Sequence, residues 1–430
     1  SIVIAMKIFR KAGIILKKAA RKIWIGRVLT FLAIMGPGLI TANVDNDANG
    51  IATYSVAGAH YGYSMIWVLF VVIIFQGIVQ EMCARLGCIT GKGLSDLIRE
   101  NFGVKITMYL MLILLGANFA NVIGNFAGIA AGSELFGIPR AISVPIAAFF
   151  VWYIVVKGSY EKVEKVFLWA CLMYFTYVIS GLKANPDWSE VVSKTIHPEF
   201  QLNTSYIYMV IALVGTTIAP WMQFFQQSAV RDKRTPVKDY SFVRWDTYIG
   251  TFIMSIISFF IIIACAATLH VKGIRIETAE QAAAALAPLA GKYASILFGV
   301  GLLNAAIFST SIIPLSTSYA ICEAFGWESG LDKSFREAPV FFGIYTMMIV
   351  AGAFIIMIPN LPLIPIMVLS QALNAMLLPF ILIMILLLVN DKRLMGAKWV
   401  NSLQFNVLAW ITVISVSVMS LILCAGVFFQ

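Results

Sequence analysis

Apolar positions in this chain run in long unbroken stretches separated by short polar connections, and not in the narrow stripes of a water-exposed helix. Eleven stretches of this kind, about 28–57, 63–87, 104–131, 139–156, 162–182, 203–230, 243–269, 289–322, 339–357, 360–389 and 403–429, match a helix crossing a bilayer, which takes roughly 20 apolar residues. None shows the two-residue alternation with tight turns of a membrane β-barrel. The pattern predicts an all-α polytopic membrane protein.

Two of the stretches are interrupted. The first contains Thr41-Ala-Asn-Val-Asp-Asn-Asp-Ala-Asn-Gly50, with Asp45 and Asp47 near the middle of the span. Carboxylates at that depth are costly and mark function. Asn, Asp and Gly are also poor helix formers, so the helix is expected to break there and expose backbone carbonyls. In the sixth stretch, Pro220 removes an intrahelical hydrogen bond and frees the carbonyls of about Thr216 and Thr217. The interruptions fall in the first of five spans and the first of the next five, the hydropathic signature of inverted repeats whose broken helices face each other at mid-bilayer. The expected organisation is a leader over 1–27, a first repeat over 28–182, an external loop over 183–202, a second repeat over 203–389, and a connector with an eleventh helix over 390–430.

Composition agrees with this picture. Of 430 residues 60% are hydrophobic and 12% charged, with a mean hydropathy of +0.88, far from a soluble globular protein. Alternating the spans places 24 of the 31 Lys and Arg on the side of the N-terminus and six on the other. The positive-inside rule then puts the N-terminus in the cytoplasm and the C-terminus outside, in the plasma (inner) membrane. Topology explains the formal charge of +10, so no nucleic-acid partner is expected. The basic, amphipathic leader is expected to lie on the inner leaflet. No cleavable signal peptide is expected, because the first long apolar stretch follows eight basic residues. The six cysteines form no CxxC pair, which supports neither a disulfide framework nor a zinc site. The histidines, His60, His197 and His270, fall at predicted loops, and no nucleophile–base constellation accompanies them, so no enzyme and no cofactor are expected.

Facing breaks would bring Asp47, the carbonyls near Thr216 and Thr217, and neighbouring amides and hydroxyls into one cavity. All are oxygen donors, suited to a hard divalent cation. Gly50 and Ala219 flank this site and leave room for an ion that keeps part of its hydration shell. Asp45 is either a second ligand or a partner for an amide or water. Asn43 and Asn49 belong to the same polar stretch. Elsewhere, Glu81 and Arg85 sit four apart on one helix face, as a structural ion pair or a gating element. Asn118, Asn121 and Asn125 make one face of span three polar, for packing against another helix or for lining an aqueous path. Gln371 and Asn374 lie near one face of span ten and are read in the same two ways.

The chain resembles the NRAMP family of divalent metal transporters, and most its divergent branch related to magnesium transport. The resemblance runs from about Gly36 to Gln430, through GPGLITANVDNDANG, YGYSMIWVL, RLGCITGKGL, ANVIG, GTTIAPW, GLLNAAIFSTSIIPLSTSYA and PLIPIMVLSQALNAMLLP. It implies a LeuT-like fold of two inverted five-helix repeats plus an eleventh helix. The family's first-span motif Asp-Pro-Gly-Asn reads here Asp47-Ala48-Asn49-Gly50, keeping the metal-binding Asp and losing the Asn. Its sixth-span Met-Pro-His reads Ala219-Pro220-Trp221, without the thioether that favours transition metals. Where the family carries proton-transfer residues, this chain has Asn118 and Asn121 in span three, and Trp221 and Gln226 in span six.

The resulting expectation is a monomeric secondary transporter in the lipid bilayer that imports divalent cations, Mg2+ and Mn2+, by alternating access and without proton coupling. Two alternatives stay open: a proton-coupled Mn2+/Fe2+ carrier of the typical NRAMP kind, and a sodium-coupled amino-acid or amine transporter of the same architecture.

Overall fold

The structure is a computed structural model describing residues 41, 44–157, 171–201, 203–331 and 333–428. The leader and Asn43 lie outside the described residues, as does nearly all of the first half of span one. Regular structure among the described residues is helical throughout. In chain order the α-helices are α1 Ala48–Tyr61, α2 Ile66–Thr90, α3 Leu94–Phe102, α4 Val104–Glu134, α5 Arg140–Val156, α6 Phe175–Lys183, α7 Trp188–Ile196, α8 Thr204–Thr217 and α9 Pro220–Asp232. The second half of the chain continues with α10 Tyr240–Thr268, α11 Ala279–Ala283, α12 Ala287–Ala290, α13 Ala294–Phe325, α14 Pro339–Ile356, α15 Leu363–Asn390, α16 Lys392–Met395 and α17 Leu403–Phe428.

Eight stretches among the described residues are long and apolar enough to cross a membrane, counting Ala48–Thr90 as one, and α5 is a shorter apolar helix. Ala48–Thr90 is two passes. Asn46 accepts from Ser258 and the carbonyl of Ala59 bonds His270, so α1 runs parallel to α10. Phe70 meets Phe259, and Tyr240 donates to Glu81, so α2 runs antiparallel to it. The reversal occurs at Gly62, whose φ of +59° a side chain would oppose.

Three connections differ from the expected ones. The segment 88–103, expected as a loop, contains α3, which buries Leu94, Leu97 and Ile98. Its apolar positions repeat at helical spacing, but the run is short and charged residues interleave it. The expected external loop 183–202 holds α7, capped by Asp187, whose side chain accepts from the backbone of Ser189 and Glu190. His60 lies in the last turn of α1, not in a loop, and accepts from Ile276 N. The alanine-rich run Ala282–Ala287 is helical, divided by a 3-10 turn at Ala284–Leu286.

The centre is built on α4. A side chain at Gly128 would place its Cβ 2.3 Å from that of Ala48 and 3.3 Å from that of Ala306. Only a glycine there lets α1 and α13 close on this helix. Outward-facing Ile74, Phe252, Phe354 and Leu421 are exposed, and form the apolar band that a bilayer covers.

Candidate functional site

The break in span one falls at Asn46 and Asp47, between helical Val44–Asp45 and α1. Asp47 is extended and caps α1, with Oδ1 accepting from Gly50 N at 2.7 Å. Its Oδ2 accepts from Asn49 Nδ2 at 2.9 Å and from Asn125 Nδ2 at 2.7 Å. Carboxylates are favoured at helix N-termini by the unpaired N–H groups and the dipole. The residue that interrupts the span therefore also starts its second half. A carboxylate has about four acceptor positions, so Asp47 is oriented by three donors and retains room for a cation.

The break in span six mirrors this. The ladder of α8 closes with Ile218 N donating to Val214 O at 2.9 Å. Ala219 is extended, and Pro220 opens α9 in its first turn, where a missing N–H costs nothing. The carbonyls of Thr216 and Thr217 lie beyond the last bond of α8, at the negative end of its dipole.

The two breaks meet at Gly50. A Cβ built there would lie 2.9 Å from the carbonyl oxygen of Asp45, 3.2 Å from Thr216 Oγ1 and 3.4 Å from Asp47 Oδ1. Three oxygens from both interrupted helices thus surround one point. This corrects the expectation of spare room: Gly50 is a close approach between the breaks, not a gap, and an asparagine there would strike the Asp45 carbonyl. The Asp45 side chain accepts from Gln76 Nε2 at 3.4 Å, the amide-partner alternative of the sequence reading.

An amide network stands behind this point. Asn49 Nδ2 also donates to Asn121 O at 3.1 Å. Asn121 Nδ2 donates to Asn374 Oδ1 and Gln371 Nε2 to Asn121 Oδ1, both at 2.8 Å, while Asn374 Nδ2 reaches Gly215 O at 3.4 Å. Spans one, three, six and ten are linked through amides alone. Asn49 Oδ1, Gln76 Oε1 and Thr216 Oγ1 are buried without a hydrogen-bond partner. Each such oxygen costs about 1–3 kcal/mol, and all three belong to residues in or next to the site.

The remaining candidates are placed elsewhere. The hydroxyl of Thr217 pairs with Leu213 O and Tyr54 Oη, leaving only its carbonyl for the site. Ala219 is buried, and its carbonyl accepts from Gln223 Nε2 at 3.3 Å. Trp221 packs against Phe225, with its carbonyl taken by Ser316. Gln226 bridges Thr41 and Thr247. Asn118 donates to Thr317 at 2.8 Å, packing span three on span eight. Glu81 pairs with Arg85 at 3.1 Å and accepts from Tyr240, while Arg85 also reaches the Trp399 carbonyl. The expected ion pair is thus formed, and it is tied to the start of the last span.

Asn125, read with Asn118 and Asn121 on one face of span three, touches Asp47; two further participants have no role in the sequence reading, Gln76, which touches Asp45, and Tyr54, which braces Thr217. The i, i+7 spacing of Asn125 from Asn118 was the one available signal, and nothing local distinguished Gln76 or Tyr54. Among the described residues no cluster of three or more His, Cys, Asp and Glu side chains is disposed to hold a metal. The donors here are two carboxylates with amides, a hydroxyl and carbonyls, which suits a hard cation better than a soft one.

A cavity of about 580 Å³ opens at the other end of α1, lined by Val56, Tyr61, Met209, Ile364 and Val368 among others. Its lining includes neither aspartate, and Val56 lies about 14 Å along α1 from Asp47. Both carboxylates are buried, at 3% and 5% exposure.

The family model described as "Natural resistance-associated macrophage protein-like" (Nramp) matches residues 38–426. The chain is 24% identical over 418 residues to the divalent metal cation transporter MntH of Deinococcus radiodurans, covering 93% of this chain and 91% of that protein. The crystal structure of the Eremococcus coleocola manganese transporter superimposes with a TM-score of 0.74 at 21% identity, over 91% of this chain and 86% of that one. The nucleobase-cation-symport-1 family transporter Mhp1 in a closed conformation gives 0.56 at 16% identity, over 91% and 92%. The fold is theirs, an all-helical membrane architecture with interrupted first and sixth spans here, and by the match over nearly its whole length the chain belongs to the Nramp family.

Proposed function

We propose that this protein is a divalent metal cation transporter that moves Mg2+ and Mn2+ by alternating access. The observation that carries the reading is the convergence of Asp45 O, Thr216 Oγ1 and Asp47 Oδ1 around Gly50. A divalent cation drawn to Asp47 meets an all-oxygen environment from both interrupted helices, with amides behind it. The relatives support the metal: one is named a divalent metal cation transporter and another a manganese transporter. Family membership supports the same class.

Selectivity follows from the donors. Ala219 occupies the turn where a thioether would favour softer ions, and oxygen donors admit Mg2+. Mg2+ dehydrates reluctantly, so it enters with part of its water shell. The close approach at Gly50 means that the two breaks separate to admit it. The groups holding Asp47 are the amides of Asn49 and Asn125 and the Gly50 N–H, none of which exchanges a proton in the physiological range. That supports transport without a coupled proton, driven by the membrane potential, which supplies about 4.6 kcal/mol for two charges at roughly 100 mV. The two five-span repeats rearrange against each other within a single monomer, with the N-terminus cytoplasmic and the C-terminus outside.

The test is uptake of Mg2+ and Mn2+ into liposomes containing a pH dye, beside calorimetric binding to the parent and to Asp47→Ala. Flux of both ions without lumenal acidification, and loss of binding in the variant, are the expected results. Manganese flux that acidifies the lumen, with magnesium neither moving nor competing, would establish the proton-coupled alternative.

A further inference from the structure

The contact between α2 and α9 carries four glutamines in two helical pairs, Gln76 with Gln80 and Gln223 with Gln227. All four are buried, at 2% exposure or less. Their two ends behave differently. Every amide nitrogen is tethered: Gln76 Nε2 to Asp45 Oδ2 at 3.4 Å, Gln80 Nε2 to Gln223 Oε1 at 3.2 Å, Gln223 Nε2 to Ala219 O at 3.3 Å, and Gln227 Nε2 to Lys92 O at 3.0 Å. Three of the four amide oxygens, those of Gln76, Gln80 and Gln227, have no hydrogen-bond partner.

Amides placed for packing alone would pair reciprocally, donor to acceptor, or be replaced by apolar side chains. Here the donors are consumed and the acceptors left over, the arrangement that suits a cation. The sequence of contacts also has a direction. It begins at Asp45 and at the carbonyl of Ala219 in the span-six break. It passes Cys83, whose Sγ lies 3.5 Å from Gln223 Oε1. It ends at Gln227, where α2 comes so near that a Cβ at Gly87 would lie 2.7 Å from the Gln227 carbonyl oxygen. From Gln76 to Gly87 the rise of α2 is about 16 Å. Beyond the last glutamine, Ser228 donates to Glu323, a buried carboxylate paired with Arg231 at 2.6 Å.

We propose that the α2–α9 contact is a second cation site, a ladder of amide oxygens from Gln76, Gln80, Gln223 and Gln227 that takes a partly hydrated divalent cation between Asp47 and the face bearing Lys92. The inference rests on the transport reading and adds a route and a set of residues to it. Neutral amides bind a hard ion through oxygen, but more weakly than carboxylates do. The ladder therefore receives the ion without retaining it. In the present conformation the ladder is closed by its own nitrogen tethers, which the passing ion's waters replace as α9 moves from α2.

The test uses the full chain in liposomes, with MgCl2 as the probe, in Gln80→Met and Gln227→Met. Methionine keeps the length and burial of the side chain and removes its oxygen. The expected result is a fall of tenfold or more in the maximal rate of Mg2+ uptake, with calorimetric affinity within twofold of the parent and thermal stability retained. A third variant, Gln80→Glu, adds charge to a rung: the concentration for half-maximal uptake and the maximal rate are both expected to fall, since the ion is held. Methionine variants that transport at the parental rate, or a Gln80→Glu protein with unchanged saturation, would overturn the ladder while leaving the transport reading intact. A parent that moves neither Mg2+ nor Mn2+ removes the transport reading, and the ladder with it.

Discussion

Asn125 donates its side-chain N–H to Asp47 across 2.7 Å, joining α4 to the residue that caps α1. The bond fixes the direction in which the carboxylate faces. Replacing Asn125 by Leu leaves Asn49 as the single side-chain donor to Asp47. Hydrogen bonds to charged groups are worth about 1.5–3 kcal/mol. Calorimetry with Mg2+ is expected to record affinity at least tenfold weaker, with the protein still folded.

On the proposed reading, the turn at Ala219 sets the character of the ion. It is buried, extended and adjacent to the carbonyls of Thr216 and Thr217. Ala219→Met adds a polarisable sulfur that hard ions do not favour. In competition uptake, the preference for Mn2+ over Mg2+ is expected to rise about tenfold. An unchanged ratio would mean that the side chain at this turn does not meet the ion.

Glu81 and Arg85 are tested by stability, not by flux. Both are buried, and Arg85 further holds the Trp399 carbonyl and Asn401. Removing one member of a buried pair costs about 3–5 kcal/mol, because the other charge is left uncompensated. Glu81→Ala is therefore expected to lower the unfolding temperature sharply in detergent, while the double change Glu81→Leu, Arg85→Leu recovers part of the loss.

Much of this arrangement was legible in the sequence, because its decisive elements are local. Asp47 with Asn49 and Gly50, and Pro220 after Thr217, are breakers whose effect does not depend on distant residues, and both breaks occur where these residues stand. Where both ends of a span are among the described residues, the limits read from apolar runs agree with the helices to within a few residues, as for 339–357 against Pro339–Ile356. The partners were not legible. The spacing of Asn118, Asn121 and Asn125 places them on one side of α4, but they meet Thr317, Asn374 and Asp47 respectively. Which amide finds which partner is decided by how four helices cross, and that crossing leaves no trace in local periodicity. The same holds for Gly50, whose smallness reads as space in the sequence and is close contact in the fold.

Gly215 gives a further prediction. A Cβ there would lie 1.9 Å from the Gln371 carbonyl oxygen and 2.9 Å from Ala375 N. Both are backbone atoms of α15 that cannot step aside. Overpacking typically costs about 1–3 kcal/mol, occasionally more. Gly215→Ala is expected to lower the unfolding temperature and the yield of monodisperse protein, whereas Gly116→Ala, at an open position, is expected to leave both unchanged.

The same contact divides span six mechanically. With Gly215 pressed on α15 and its carbonyl engaged by Asn374, α8 is a stator bolted to the rest of the bundle. Its continuation α9 lies on α2, where Gly87 meets the Gln227 carbonyl, and is tied to α13 through Ser228 and Arg231 to Glu323. Ile218 and Ala219 are the non-helical link between the two halves of span six, so on the proposed transport reading they are where a swing of α9 relative to α8 would be taken up. On that reading the joint and the proposed binding carbonyls of Thr216 and Thr217 are one stretch of chain, so a cation held there would brace the joint, and its departure would release it.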